Sequence, residues 1–142
     1  MELETKMYVA WAHISRSEDV ADQWVAYCPA FDAMTLGGSP VHAREMIEEA
    51  VGLLITMDLN EGRDPEARRS TREEDWAALY RLFESHKQKV PVNRMDERAE
   101  FKEFAVPITW TFERQVVDAA GNGSQTEMRE RGIYPTGDPL AA

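Results

Sequence analysis

One amphipathic helix in the middle of the chain limits its fold more than any other feature. Ser39 followed by Pro40 is a favoured helix start, because serine caps first-turn N–H groups and proline needs no donor at the first helical position. Gly62 supplies a C-cap, so the pattern predicts a helix from Pro40 to Glu61. Its apolar side chains recur at helical spacing: Ala43, Met46, Ile47, Ala50, Val51, Leu54 and Met57. Such a helix needs another layer of structure to cover its apolar face.

Three short extended segments precede this helix. Residues 7–14 (MYVAWAHI) form an apolar and aromatic run that is too short for a typical helix, and residues 23–28 (QWVAYC) have the same character. Residues 33–36 form a third segment, which ends at two glycines. Because the connections between them are short, the three segments are expected to pair as an antiparallel meander.

Two further elements are predicted after the helix. Overlapping capping boxes at Ser70 and Thr71 open a second helix, which is expected to fray near Lys89. An extended segment over residues 101–117 follows, and Pro107 places it at a sheet edge or a bulge. Its apolar residues alternate strictly: Phe104, Val106, Ile108, Trp110 and Phe112.

The predicted fold class is therefore α+β. Residues 1–65 form a three-stranded antiparallel meander with a packed helix, and residues 66–118 add a second helix and a C-terminal strand that complete or extend the same domain. Residues 119–142 contain too few apolar side chains to fold alone, so a flexible tail is expected there.

The cellular context is predicted from three absences in the sequence. No apolar run approaches the roughly 20 residues that cross a bilayer, and the first residues lack an apolar signal core. A single cysteine, Cys28, excludes an intramolecular disulfide framework. We expect a cytoplasmic protein that has no membrane partner.

The charge of the chain favours basic partners. Asp and Glu outnumber Lys and Arg by 26 to 16, which gives a net charge of -10. Such a surface repels nucleic-acid phosphates and speeds encounter with basic proteins.

A basic cluster stands out against this acidic background. It consists of Arg63, Arg68, Arg69 and Arg72. It is interpreted as an exposed connector that offsets the helix dipole and nearby acids, since no aromatic residues interleave with it. A nucleic-acid-binding regulator that uses this connector is the alternative.

No catalytic or metal site is predicted, and no cofactor is expected. Cys28 with His13 or His42 as its base would be a nucleophilic pair, but no spacing ties these residues together, and a lone cysteine at a strand end is usually buried. The histidines and the cysteine also lack the spacing of zinc ligands. The sequence therefore favours a binding protein over an enzyme.

The segment WVAYCPAFDAMTLGGSPVHAREMIEEAVGLLITMDLNEGRDP resembles the HicB family of antitoxins. The matching positions are Trp24 to Pro29, Phe31, Asp32, Thr35, Gly37, Ser39, Ala43, Ile47, Glu49, Ala50, Gly62 and Pro65. The resemblance covers about residues 7–65 and implies a truncated RNase H-like sheet with one packed helix. It also implies a function: these proteins bind and block a small basic mRNA-cleaving toxin, commonly as dimers or larger assemblies.

Two departures from the HicB pattern limit what the resemblance implies. The C-terminal third shows no helix-turn-helix or ribbon-helix-helix pattern, which argues against autorepression and direct DNA binding. An RNase H-type nuclease needs carboxylates that converge on metal, one of them from the first strand, and MYVAWAHI contains none. Nuclease activity is therefore not expected.

Two surfaces are predicted to bind partners. Acidic residues would meet a basic, toxin-like protein: Asp32, Glu45, Glu48 and Glu49. The simpler interpretation makes Asp32 a turn residue and the glutamates part of a solvated helix edge, together with Arg44 and Asp58. The apolar stripe Phe104 to Phe112 either docks on its own core or forms a homodimer or higher oligomer. A stand-alone oligomeric assembly module is thus a further alternative.

Overall fold

The computed structural model describes residues 2–84, 102–116 and 124–130. Within these ranges the chain forms five strands, two α-helices and one 3₁₀ turn. In chain order they are β1 (Glu2–Arg16), β2 (Trp24–Cys28), β3 (Ala33–Gly37), α1 (Pro40–Asn60), the 3₁₀ turn (Pro65–Arg68), α2 (Glu73–Glu84), β4 (Glu103–Val116) and β5 (Ser124–Glu130). None of the described helices combines the length and apolarity that crossing a membrane requires.

The strands form one antiparallel sheet in the order β3-β2-β1-β4-β5. The predicted α+β class and the β1–β2–β3 meander are confirmed. Strand β1 is much longer than predicted, because it pairs with β4 from Glu2 to Ser15, whereas β2 covers only His13 to Arg16. Strand β1 is therefore the centre of the sheet.

Helix α1 packs on one face of the sheet and covers the main core. The Ser39 hydroxyl accepts a hydrogen bond from the His42 N–H at 3.1 Å, as the predicted N-cap requires. Small side chains on β1, such as Ala10 and Ala12, allow the helix to approach the strands closely. The Trp110 indole of β4 donates a hydrogen bond to the Glu48 carbonyl at 2.8 Å, which fixes α1 against the sheet.

Helix α2 packs on the opposite face. Its Leu79 and Leu82 form a second buried cluster with Ala105 of β4. Trp11 of β1 joins the cluster, with its ring centroid 4.8 Å from that of Phe83. Because strand side chains alternate between faces, Trp11 of β1 and Ala105 of β4 meet α2, while the even-numbered residues of β4 meet α1.

The apolar stripe of the last long strand, predicted either to dock on its own core or to form an oligomer interface, packs in the chain's own core. Strand β4 lies between β1 and β5, and its apolar stripe fills the core under α1 instead of facing solvent. All five side chains of the stripe are fully buried: Phe104, Val106, Ile108, Trp110 and Phe112. They cannot contact a second copy of the folded chain.

The prediction that Pro107 lies at a sheet edge or a bulge was correct in part. Strand β5 pairs with β4 only from Thr111 to Val116, so the described strand neighbour of Pro107 is β1 alone. Proline lacks a backbone donor, and this position does not require one towards β5.

The expectation of a flexible tail over residues 119–142 is corrected for one segment. Residues Ser124–Glu130 form β5 and pair with the outer half of β4. A strand at a sheet edge is stabilised by backbone hydrogen bonds to its neighbour, so it does not need an apolar core of its own. The remainder of the predicted tail, the end of α2 near Lys89 and residues 90–100 lie outside the described residues.

Gly37 provides a direct test of how α1 docks. A Cβ atom at Gly37 would lie 2.4 Å from the Ala43 backbone nitrogen, whereas one at Gly38 would meet nothing within 4 Å. We expect Gly37→Ala to lower the free energy of unfolding by about 2 kcal/mol or more, because backbone atoms must move. Gly38→Ala should change it by less than ~0.5 kcal/mol. Urea denaturation measures both, and equal midpoints for the two variants would contradict this docking geometry.

Candidate interaction surfaces

The outward face of α1 carries large apolar side chains. Met46 is 38% exposed, Leu53 60% and Met57 44%. The spacings of seven and four residues place them along one side of the helix, and we call these three residues the α1 stripe. The periodicity had assigned Met46 and Met57 to the buried face, so the apolar pattern is wider than the face that the sheet covers.

The predicted partner-binding glutamates of α1 have different environments. Glu45 and Glu49 are exposed and flank the α1 stripe. Glu48 is half-buried, and its Oε2 accepts a hydrogen bond from Arg44 Nη1 at 2.9 Å. The structure therefore brings only Glu45 and Glu49 to the stripe, while Glu48 has a structural role.

Arg44 was expected on the solvated edge of α1 and is fully buried instead. Its Nη2 lies 3.4 Å from the Pro107 carbonyl oxygen, to which it donates, on the part of β4 that β5 does not pair with. Arg44 thus links α1 to a backbone carbonyl of β4. The ion pair with Glu48 balances its charge in this buried position.

Asp32 belongs to a different cluster from the glutamates. It is exposed and has a φ of 49°, which aspartate tolerates in turns, so its predicted turn role fits the backbone. The Tyr27 hydroxyl donates to Asp32 Oδ1 at 2.6 Å and also lies 3.0 Å from Asp75 Oδ2 of α2. Burial and these two carboxylates raise the pKa of Tyr27. Asp32 is therefore part of the contact between the β2–β3 turn and α2.

The basic cluster divides into two pairs with separate surroundings. Arg63 and Arg68 bind Asp58, which is buried in the last turn of α1. The Arg68 guanidinium donates to both oxygens of Asp58, at 2.5 and 2.9 Å. Hydrogen bonding from Arg68, and then from Arg63, lowers the pKa of Asp58 despite its burial. This pair closes the C-terminal end of α1, in agreement with the structural interpretation of the connector.

Arg69 and Arg72 instead line a surface groove of about 510 Å³ at the start of α2. The Arg69 guanidinium lies 3.7 Å from the centroid of the Trp76 ring, a cation–π contact. The Trp76 and Tyr80 rings are stacked, with centroids 6.3 Å apart and an interplanar angle of 24°. We call this site the α2 groove, defined by Arg69, Ser70, Arg72, Glu73, Trp76 and Tyr80.

The sequence did not reveal the aromatic component of the α2 groove. The arginines have no aromatic neighbours in the connector itself, and Trp76 and Tyr80 lie in the helix that follows it. Tyr80 is 54% exposed, and Trp76 is only partly buried. Their four-residue spacing, which puts both rings on one side of a helix, was the available signal.

Asp75 holds the α2 groove in shape. Its Oδ2 accepts hydrogen bonds from the Ser70 hydroxyl at 2.5 Å and from Arg72 Nε at 3.0 Å. The bond from Ser70 is the main cause of the lowered pKa of Asp75, and Tyr27 and Arg72 add to it. The Ser70 N–H donates to the Pro29 carbonyl at 2.9 Å, which fastens the groove to the β2–β3 turn.

The residues weighed for catalysis have separate surroundings. Cys28 is fully buried, and burial raises the pKa of its thiol to about 12. His13 Nε2 lies 3.1 Å from Glu103 Oε1, and burial lowers the pKa of this histidine. His42 Nδ1 accepts a hydrogen bond from the Gly38 N–H at 3.0 Å. In the described part of the chain, no group of three His, Cys, Asp or Glu residues is placed to hold a metal ion.

Comparison of the chain with models of known protein families, with curated proteins and with solved structures gave no match. The resemblance to HicB antitoxins therefore rests on the sequence pattern of residues 7–65 alone.

The ion pairs of Asp58 with Arg63 and Arg68 predict how the stability of the fold depends on pH. Because its pKa is lower in the folded chain than in the unfolded chain, Asp58 stabilises the fold above its unfolded pKa, and this stabilisation is lost as the pH falls through the folded pKa. We expect Asp58→Asn to lower the free energy of unfolding by about 1–3 kcal/mol at neutral pH, and the difference from wild type to shrink below about pH 4.

The matched control is Asp19→Asn, in the exposed loop after β1. It should change the free energy of unfolding by less than ~0.5 kcal/mol at neutral pH. Denaturant titrations between neutral and acidic pH measure both variants. A penalty for Asp58→Asn that stays constant down to acidic pH would show that its carboxylate charge does not provide the stabilisation.

Proposed function

We propose that this chain is a HicB-like antitoxin, or a protein-binding module derived from one, that occludes a small basic protein in the cytoplasm. The proposal includes a truncated RNase H-like fold for the β1–β2–β3 meander and α1. The observation that carries it is the exposed α1 stripe, flanked by Glu45 and Glu49.

The α1 stripe has the chemistry of a protein-docking helix. Leucine and methionine side chains spaced along one side of a helix fit an apolar groove on a partner, and methionine adapts to irregular surfaces. Leu53 lies between the two methionines and, at 60%, has the largest exposed fraction of the three. We assign to it the central contact.

Charge complementarity indicates what kind of partner this is. Glu45 and Glu49 beside the α1 stripe, together with a net charge of -10, attract a basic protein and repel nucleic acid. A small mRNA-cleaving toxin must itself carry positive charge to bind RNA. An acidic helix docked on that charge would block access of RNA without any catalysis by this chain.

Helix α1 is also rigidly held for this role. The bond from Trp110 to the Glu48 carbonyl and the contact from Arg44 to the Pro107 carbonyl fix it to β4 at two points. Docking a helix that is already ordered costs little conformational entropy, so its apolar contacts contribute more fully to affinity.

A matched pair of variants tests this surface. The tagged chain is expressed in its native host and purified. The partner that it retains in a stoichiometric complex is identified by mass and assayed for RNA cleavage. Leu53→Lys places a positive charge in the α1 stripe and should weaken binding of a basic partner at least tenfold, or about 1.4 kcal/mol. Met34→Lys, at a residue 65% exposed on the edge strand β3, should leave affinity unchanged.

Two outcomes would contradict the proposal. One is a partner that is acidic, or that does not cleave RNA when freed from this chain. The other is equal affinity for Leu53→Lys and wild type, which would exclude α1 as the docking surface. Recovery of the chain alone, as a discrete oligomer, would favour the assembly module, for which the buried residues of β4 cannot supply the interface.

A further inference from the structure

The α2 groove lies on the opposite side of the sheet from the α1 stripe, and docking through α1 does not use it. We propose that it binds one nucleotide unit, a planar base with its phosphate, most naturally as part of a single-stranded nucleic acid. The base would stack on the exposed Tyr80 ring, next to the Arg69–Trp76 contact, and the phosphate would meet Arg69 and Arg72. This inference stands whether or not the antitoxin-like function is correct.

The aromatic pair provides a stacking surface. The Tyr80 ring is inclined by 24° to the Trp76 ring, with centroids 6.3 Å apart, and the Arg69 guanidinium covers the Trp76 ring. Tyr80 is 54% exposed, whereas most other aromatic side chains of α2 and the sheet pack into one of the two cores. Stacking of bases on exposed aromatic rings is the main sequence-independent contact of single-strand binders.

The cations lie where a phosphate attached to that base would be. Arg63, Arg68 and Arg72 each pair with a carboxylate, but Arg69 forms no ion pair among the described residues. Its guanidinium lies over the Trp76 ring, 3.7 Å from the centroid, and retains its charge for an anion. Arg72 is exposed beside it and pairs with Asp75, so Arg69 is the guanidinium of the groove that no described carboxylate pairs with, in a chain whose net charge is -10.

The size and rigidity of the α2 groove also suit a single nucleotide. Its volume of about 510 Å³ falls within the usual range of small-ligand sites and is too small for a duplex. The Trp76 indole donates to the Ser70 carbonyl at 3.0 Å, and the Ser70 N–H donates to the Pro29 carbonyl, so the ring is fixed before any ligand arrives. Leu79 and Leu82 anchor the same helix to the sheet.

An acidic peptide fits this site less well. The carboxylates of a peptide made of Asp and Glu could bind the two arginines, but such a peptide has no aromatic ring to stack on Tyr80. The adjacency of an exposed aromatic pair and an arginine without a carboxylate partner distinguishes a nucleotide site from a general anion site.

Fluorescence anisotropy of labelled single-stranded decamers tests the proposal on the full chain at low salt. We expect saturable binding that is much weaker for the duplex of the same sequence. One or two phosphate contacts give a log–log salt slope of about -0.7 to -1.4. Tyr80→Ala and Arg69→Gln should each weaken binding at least about fivefold.

The matched control is Arg16→Gln. The Arg16 guanidinium also lies over a tryptophan, 5.4 Å from the centroid of the Trp24 ring, so this variant removes the same charge and the same kind of contact elsewhere. It should change affinity less than twofold. Leu53→Lys, in the α1 stripe, should not weaken oligonucleotide binding, which separates failure of this inference from failure of the proposed function.

Adenosine monophosphate, added as competitor, identifies the source of the nucleotide. If millimolar adenosine monophosphate displaces the oligonucleotide, the site also binds free nucleotides. If the oligonucleotide stays bound, the site is specific for the strand.

Three results would overturn the proposal: no saturable binding at millimolar protein, equal losses for Arg16→Gln and Arg69→Gln, or competition by polyglutamate as strong as by the oligonucleotide. Circular dichroism of each variant confirms that it is folded.

Discussion

The pairing of β1 with β4 is the interaction on which the rest of the structure depends. It runs from Glu2↔Val116 to Ser15↔Glu103, joins the start of the chain to its C-terminal part and makes β1 the central strand. The even-numbered residues of β4 complete the core under α1, and Ala105 on the other face receives α2. Without this ladder, the three-stranded meander would leave α1 half-covered and α2 without a surface to pack on.

The two helices present opposite chemistry on opposite sides of this sheet. Helix α1 shows apolar side chains beside two glutamates, which suits a basic protein, while α2 and its preceding turn show arginines beside stacked aromatic rings. Two acidic residues near the connector are already engaged by its arginines: Asp58 binds Arg63 and Arg68, and Asp75 binds Arg72. Arg69 is thereby left as a local positive charge within an acidic protein.

The sequence predicted those elements whose signals are local. The cap at Ser39, the period of α1 and the three short strands required only neighbouring residues. The position of β4 could not be predicted, because alternation shows that one face is buried but does not identify the neighbouring strands. The burial of Arg44 depends on Pro107, 63 positions away. The α2 groove likewise requires the 3₁₀ turn after α1, which brings Arg69 over Trp76 although the two are seven positions apart.

Oxidation of methionines in the presence and absence of the co-purified basic partner tests the central claim most directly. The chain carries its own controls, because Met46 and Met57 lie on the α1 stripe, while Met7 and Met34 are 65% exposed on strands of the sheet. If α1 is the docking surface, the partner slows oxidation of Met46 and Met57 and leaves Met7 and Met34 unchanged. Protection of Met7 or Met34 with continued oxidation of Met46 and Met57 would contradict the account.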